Sequence, residues 1–379
     1  MYNIALTATL LYLLQNVSWG VESFAFTSSS SPKRKKVSNK TKGGGGFGKV
    51  NDSVPIQHTA DVSEATSTLI EFLTSQKAAG INSGCEIGFS HESNIRGLFA
   101  TKSFKKGEVI CKIPSDLALA LSNPELGGSD APNVAFGGRN FLDMYQNHNV
   151  ASKTWAPYLN TLPTKDQHFD ASPDFFTDEE IDALEFPRAI QGAKTRLNEI
   201  AEICAEYDID FNELQFATWL VASRSFQISI DAGGPTPDGE NLVSKPSKTI
   251  RVMVPFIDMI NHSEGANAEV HIIDPEKDEA WFSIRAQRPI KAGKEITIAY
   301  GTGYDTSYTL LQNYGFVADK NKIDTMMLKK GGDGVIEGLD GWSTTLEEDQ
   351  NALQSSTLSS NMKKVLQFRC KMKLSYPME

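Results

Sequence analysis

The chain has 379 residues, 40% of them hydrophobic, and a formal net charge of −10. That is enough apolar material for one large domain or two ordinary ones, and the acidic total argues against a protein that wraps nucleic acid. The charge is uneven: residues 1–50 hold seven Lys or Arg against the single acid Glu22, which leaves −16 on the remainder. Such a body stays soluble and prefers basic target segments.

Ile4 to Leu14 is an apolar run too short to span a bilayer, and it suits the core of a signal peptide. Val21-Glu22-Ser23-Phe24-Ala25-Phe26 follows, then a Ser- and Lys-rich stretch without acids from Thr27 to Val50, with a linker-like Gly43 to Gly46. The order resembles a bipartite plastid presequence, with Phe just after the signal cleavage site. Residues 1–50 are therefore expected to be a targeting or disordered presequence leading to the plastid stroma. Pro32-Lys33-Arg34-Lys35-Lys36-Val37 leaves a nuclear signal or a plain basic tail as the alternative. No later segment reaches eighteen uninterrupted apolar residues, so no membrane span is expected in the mature form.

Ser63 to Gln76 reads as a helix, capped by Ser63 and ended by Gly80, with Ala65, Leu69, Phe72 and Leu73 on one face. Gly97 to Ala100 and Val109 to Ile113 read as short strands flanking a turn at Lys105-Lys106-Gly107. From 115 to 245 helical patterns dominate: Phe141 to Tyr145, Asp178 to Leu184, Ala189 to Tyr207 and Asn212 to Ser225. Asp231 to Pro246 is loop. Strand character returns at Arg251 to Ile257, in a hairpin of Glu269 to Ile273 with Ala280 to Arg285 around Asp274 to Asp278, and at Glu295 to Tyr300 after a turn at Lys291-Ala292-Gly293. Neither β half has enough strands to stand alone, so the expectation is an α+β fold in which a helical insert of about 115–245 splits one β domain. The four cysteines, Cys85, Cys111, Cys204 and Cys370, are far apart in sequence and form no C-x-x-C. They read as reduced core residues, and no metal site is expected. His58, His91, His148, His168 and His271 lie outside any motif and read as surface or core residues.

Three segments carry the chemistry. They are Arg96-Gly97-Leu98-Phe99-Ala100 with Gly107-Glu108-Val109-Ile110, then Pro255-Phe256-Ile257-Asp258-Met259-Ile260-Asn261-His262-Ser263, then Glu295-Ile296-Thr297-Ile298-Ala299-Tyr300-Gly301 followed by Asn313-Tyr314-Gly315-Phe316. Each alone has a plainer reading: a turn, a capped strand end, or a half-buried tyrosine. Together, with Trp155-Ala156-Pro157-Tyr158-Leu159, Leu162-Pro163 and Ser223-Arg224-Ser225-Phe226 between them, they resemble the SET-domain protein methyltransferases. The resemblance is to the branch of the Rubisco large-subunit lysine methyltransferases and the actin-histidine methyltransferase, and it covers about residues 65 to 317.

The resemblance implies a SET fold of short β-sheets with a pseudoknot, spanning 62–317, and S-adenosyl-L-methionine as methyl donor. Gly97, Leu98 and Phe99 would hold the cofactor partly through main-chain groups. Asn261, with an amide offering donor and acceptor, and His262 would grip its amino-acid part and adenine. Arg224 would bond its carboxylate, with a surface ion pair as the alternative, and Phe316 would pack near the adenine or simply in the core. Tyr300 matches the catalytic tyrosine, suited to positioning and electrostatic stabilisation rather than proton abstraction because a phenol has a reference pKa near 10. Tyr314 would line the channel through which the target side chain enters. Asp258 matches an acidic position at that channel and braces the loop, with a strand-end cap as the equal alternative.

The implied activity is methyl transfer to a lysine of a non-histone protein, Rubisco large subunit or another plastid protein, by a monomer that binds no nucleic acid. Histidine methylation is the alternative. It is disfavoured because Tyr314 keeps a tyrosine where lysine enzymes of the branch have one. A non-catalytic peptide-binding module is the third reading. The chain departs from the branch at Gly301 to Leu311, which contacts substrate in relatives. It departs again at its end: only 62 residues follow Val317. Gly331 to Gly334 and the Ser/Thr-rich 343–360 read as loops, so 318–379 is expected to be a shortened C-terminal remnant.

Overall fold

The computed structural model describes residues 57–121, 133–146, 150–167, 171–230, 248–273, 280–301, 305–318, 321, 323–324 and 342–375. The presequence, the Asp231 to Pro246 loop, the Asp274 to Asp278 turn, Gly331 to Gly334, His148 and His168 lie outside these residues.

Helix α1 (Glu64–Ser75) starts where Ser63 accepts a hydrogen bond from the Thr66 amide, and it buries Leu69 and Leu73. Its end differs from expectation. Gln76 caps it and Lys77, at φ 67°, turns the chain, so Gly80 is not the stop. Strands β1 (His58–Ala60), β2 (Cys85–Ser90) and β3 (Arg96–Ala100) belong to a five-stranded sheet in the order β1-β2-β3-β11-β8, with β8 at Asn261–His262 and β11 at Glu295–Ile298. Strand β4 (Val109–Pro114) does not return along β3. It pairs with β10 (Trp281–Ala286), which pairs in turn with β9 (Ala268–Ile273), giving a second sheet β4-β10-β9. The two β halves of the chain are thus stitched together strand by strand.

The insert carries α2 (Val134–Phe141), which runs into a π-helical turn at Leu142–Gln146, then α3 (Val150–Leu159), α4 (Asp178–Asp182), α5 (Pro187–Tyr207) and α6 (Phe211–Arg224). It is not wholly helical. Strand β6 (Ser225–Ile230) leaves α6 directly and pairs with β7 (Lys248–Met253), whose other edge takes the short β5 (Leu119–Ala120). This third sheet ties the insert to the second β half. Its signal was present in the alternation of Phe226, Ile228 and Ile230, a period of two rather than 3.6. The strand expected at Arg251 to Ile257 ends at Met253, and a 3-10 turn occupies Ile257–Met259.

Two apolar cores result. The larger joins β2, β3, β4, β7, β10 and β11 to the insert helices around Phe141, Tyr158, Leu220 and Phe256. The smaller gathers Ile181, Leu184 and Phe186 with Leu311 of α7 (Ser307–Tyr314) and Val365, Phe368 and Met372. Those last residues lie on α9 (Ser360–Ser375), preceded by α8 (Leu346–Ala352). The stretch read as loop at 343–360 therefore contains a helix. Thr345 and Glu348 form a reciprocal capping box at its start, which is the S/T-x-x-E signature of a helix N-terminus. Buried Arg369 clamps the segment, pairing with Asp349 and Glu185 at 3.0 Å each.

Candidate functional site

The five-stranded sheet brings the three chemical segments together. Strand β11 runs antiparallel to β3, with Ile296 opposite Leu98, and parallel to β8, with Thr297 opposite Asn261 and Ile298 opposite His262. Residues 165 positions apart in sequence thereby become hydrogen-bonded neighbours: the Asn261 amide donates to the Arg96 carbonyl at 2.9 Å.

Asn261 spends its second N–H on Glu295 Oε1 at 2.8 Å, so its side-chain oxygen is what remains for a ligand. A Cβ on Gly97 would stand 2.7 Å from both Asn261 Nδ2 and Glu295 Oε1, which is why glycine is needed there. Burial raises the pKa of the Glu295 carboxyl, and the Asn261 bond partly offsets this. His262 Nδ1 accepts the Tyr300 backbone N–H at 3.0 Å. The neutral ring therefore carries its proton on Nε2, a buried atom with no partner among the described residues. Burial lowers the His262 pKa, with Asp305 acting in the opposite sense, and this favours that neutral ring.

Tyr300 donates its hydroxyl proton to the Ile260 carbonyl at 2.8 Å and keeps its oxygen lone pairs. Burial pushes its pKa well up, so the phenol stays neutral at any ordinary pH. Tyr314 lies 4.4 Å from it between ring centroids, and burial pushes that phenol up to about 12. Phe316 completes the cluster, 5.6 Å from the His262 ring.

Arg224, the last residue of α6, reaches Asp258 Oδ2 at 3.3 Å, and Tyr158 donates to the same oxygen at 2.6 Å. The Asp258 side chain is fully buried, and burial raises its pKa against the opposing pull of Arg224, Tyr158 and Arg96. Arg224 Nε is left buried without a partner among the described residues. The loop presenting Asp258 carries backbone strain: Phe256 sits at φ 74°, ψ −45° and is fully buried, a conformation that costs about 1–3 kcal/mol and clusters at functional sites. Arg96 anchors the opposite wall through Thr161 O and Thr66 Oγ1, both at 2.9 Å.

Two cavities meet on this cluster. The smaller, about 530 Å³, is lined by Ser93, Ile95, Arg96, Trp219, Asn261, His262, Glu295 and Phe316. The larger, about 760 Å³, lies between β6, β9 and α7. Ser223, Arg224, Asp258, Tyr300 and Tyr314 line both. Arg224, Asn261, His262, Tyr300, Tyr314, Phe316 and Asp258 are thus gathered in one place, with Gly97 directly behind Asn261.

Leu98 and Phe99 are not there. Their side chains are buried in the core, Phe99 stacking on His58 at 4.2 Å. Their backbones are taken up by β2 on one side and β11 on the other. Ser93, Ile95 and Arg96 form that wall instead. Glu295, Trp219 and the role of Tyr158 were missed in the sequence. Glu295 opens its motif segment and could have been flagged, whereas Trp219 sits in an unbroken helical pattern without any signal. Among the described residues no group of three or more His, Cys, Asp or Glu could hold a metal ion, and no helix is long and apolar enough to cross a membrane.

A family model for the SET domain matches residues 95–301. The curated Arabidopsis thaliana protein named Protein SET DOMAIN GROUP 40 is 23% identical over 267 residues, covering 62% of this chain and 52% of that protein. The chain thus spans about half the length of this curated relative. The solved SET domain of LSMT bound to MeLysine and AdoHcy superposes with a TM-score of 0.58 at 16% identity, over 83% of this chain and 90% of that one. Rubisco LSMT bound to AdoMet superposes over the same shares at the same identity with a TM-score of 0.57. At that identity the likeness establishes the fold, in agreement with the α+β architecture described above.

Proposed function

The chain belongs to the SET-domain family, and we propose from that premise that it transfers a methyl group from S-adenosylmethionine to the ε-amine of a lysine on a non-histone protein. The observation that carries this reading is the pair of cavities sharing Tyr300 and Tyr314 as a common wall. A donor on one side and an acceptor on the other is what an in-line transfer requires.

The residues of the smaller cavity fit the methyl donor. Buried Arg224 Nε and the Nε2–H of His262 await acceptors, and Asn261 offers an oxygen. A carboxylate, an adenine and an ammonium group supply those complements. Trp219 and Phe316 give the apolar surface an adenine ring needs. When bound, S-adenosylmethionine supplies an electrophilic methyl on a sulfonium.

Tyr300, neutral and fixed by Ile260, orients the incoming amine through its lone pairs. It takes no proton, because burial moves its pKa away from the working range. The amine must arrive neutral. From a reference pKa of about 10.4, deprotonation costs about 4.6 kcal/mol at pH 7. The tyrosine-lined wall offsets part of this by penalising the ammonium. An alkaline stroma would remove a further ~1.4 kcal/mol per pH unit. The composition of residues 1–50 supports a plastid address, so the acceptor is sought among stromal proteins, Rubisco large subunit included.

The test is incubation of the full chain with methyl-labelled S-adenosylmethionine and plastid extract. Label is expected on a lysine of a discrete protein. Tyr300→Phe should lower transfer about 10²–10³-fold while binding S-adenosylhomocysteine as tightly as the wild type. Undiminished transfer by that variant would remove Tyr300 from the chemistry, and no label at all would remove the enzyme.

A further inference from the structure

The guanidinium groups of the smaller cavity are both paired within the chain. Arg224 stands 3.3 Å from Asp258 Oδ2. Arg96 places its Nε 3.1 Å from Asp61 Oδ2 and spends its other nitrogens on Thr161 O and Thr66 Oγ1. Each cation on the wall therefore has its own carboxylate.

Glu295, the first residue of β11, is the carboxylate on this wall that lacks a cation among the described residues. Its Oε1 accepts the Asn261 amide at 2.8 Å, a neutral donor. Its Oε2 has no hydrogen-bond partner among the described residues. Burial raises the Glu295 pKa, the Asn261 bond alone acts against this, and neither Arg96 nor Arg224 contributes. The carboxylate charge reaches the Tyr300 phenol, where it adds to the larger effect of burial. A half-buried anion without a counter-charge is costly, and a cationic ligand removes that cost.

We propose that Glu295 is a cofactor-binding residue: its carboxylate, side by side with Asn261 Oδ1, receives the α-ammonium group of S-adenosylmethionine. This rests on the methyl-transfer reading above and adds to it a charged ligand for the end of the cofactor's amino-acid part that Arg224 does not serve. Of the two cations on that cofactor, the sulfonium has no N–H to give, whereas an ammonium has three donors. The Asn261 amide spends both N–H groups, on Arg96 O and Glu295 Oε1. It thereby turns its own oxygen and the Glu295 carboxylate toward one donor. The wall then selects a nucleoside bearing a whole amino acid over one bearing only its carboxylate.

The test is calorimetric titration of the full chain at pH 8 with two probes. One is S-adenosylhomocysteine, and the other is its deaminated analogue, in which hydrogen replaces the α-amino group. Neither probe carries a charge on sulfur, so the comparison reads the ammonium alone. The wild type is expected to bind S-adenosylhomocysteine at least about tenfold more tightly than the analogue. Glu295→Gln keeps an oxygen for the Asn261 N–H and loses the charge. It should weaken S-adenosylhomocysteine about tenfold and bind the analogue as well as the wild type does, which also shows that the pocket is intact. Binding of S-adenosylhomocysteine by Glu295→Gln within about twofold of wild type would overturn the proposal. So would equal weakening of both probes, or a wild type that does not distinguish them. A wild type that binds neither probe is a separate outcome: it fails the methyltransferase reading itself, and this proposal with it.

Discussion

Replacing His262 with Asn separates two jobs that one imidazole performs. Nδ1 accepts the Tyr300 backbone N–H at 3.0 Å, and an Asn oxygen stands close to that position, so the Tyr300 loop should keep its place. The Nε2–H donor is lost. One net hydrogen bond is worth about 0.5–1.5 kcal/mol, so S-adenosylhomocysteine should bind about two- to tenfold more weakly at pH 8. The pH dependence should change more than the affinity. Burial depresses the His262 pKa below its unfolded value. The neutral ring is therefore at full strength above about pH 6.5, and stability and binding fall as pH drops through the folded pKa. Protonation sets an Nδ1–H against the Tyr300 N–H, two donors face to face. The groups around the ring are the Asp305 carboxylate, the Tyr300 phenol and the Phe316 ring. Glu295 and Asp258, both raised by burial, are the carboxyls on the wall of the smaller cavity. Wild type and Glu295→Gln should both lose affinity below pH 6.5, whereas His262→Asn combined with Glu295→Gln should stay level. Calorimetry from pH 5.5 to 8.5 reads this, and the same acid limb in the double variant would refute the tautomer assignment.

Other substitutions probe the supports of the site. Gly97→Ala forces its methyl against Asn261 and Glu295, each 2.7 Å from the new carbon. It should cost about 1–3 kcal/mol of stability and weaken S-adenosylhomocysteine binding at least tenfold, read by thermal melting and calorimetry. Tyr158→Phe removes the 2.6 Å donor to buried Asp258. A loss of about 1–3 kcal/mol in denaturant unfolding is expected, with reduced methyl transfer because Arg224 leans on the same carboxylate. Arg369→Ala removes the cation shared by Asp349 and Glu185 while Lys373 stays on Asp349 at 2.6 Å, and should cost about 1–3 kcal/mol. Since α9 packs on α7 through the second core, substrate binding should fall with it.

Most of the site was legible because its residues cluster in short motifs. Asn261-His262 forms one strand and Tyr300 lies just past the end of its neighbour, whose period-two pattern at Ile296 and Ile298 is visible in the sequence. Leu98 and Phe99, expected to hold the cofactor partly through main-chain groups, line neither cavity. Alternation within a strand, and pairing on both sides, send these two residues to the core. The β6 strand was hidden by its direct continuation from α6, with no turn residue between Arg224 and Ser225. The C-terminal helices were hidden by composition. Ser and Thr read as loop residues, yet Thr345 is a helix cap, and the apolar face of α9 becomes visible only against Ile181 and Phe186. Long-range contacts such as Arg369 with Asp349 and Glu185, or Tyr158 with Asp258, leave no local trace.

A crystal structure of the chain with S-adenosylhomocysteine and Nα-acetyl-lysine methylamide bears most directly on the shared wall. The sulfur should lie in the cavity of Asn261, His262 and Phe316, and the amine in the cavity of Asp305 and Tyr314. The Tyr300 oxygen should lie within hydrogen-bonding reach of the amine. Both ligands in one cavity, or Tyr300 turned away from the line between sulfur and nitrogen, would contradict the account.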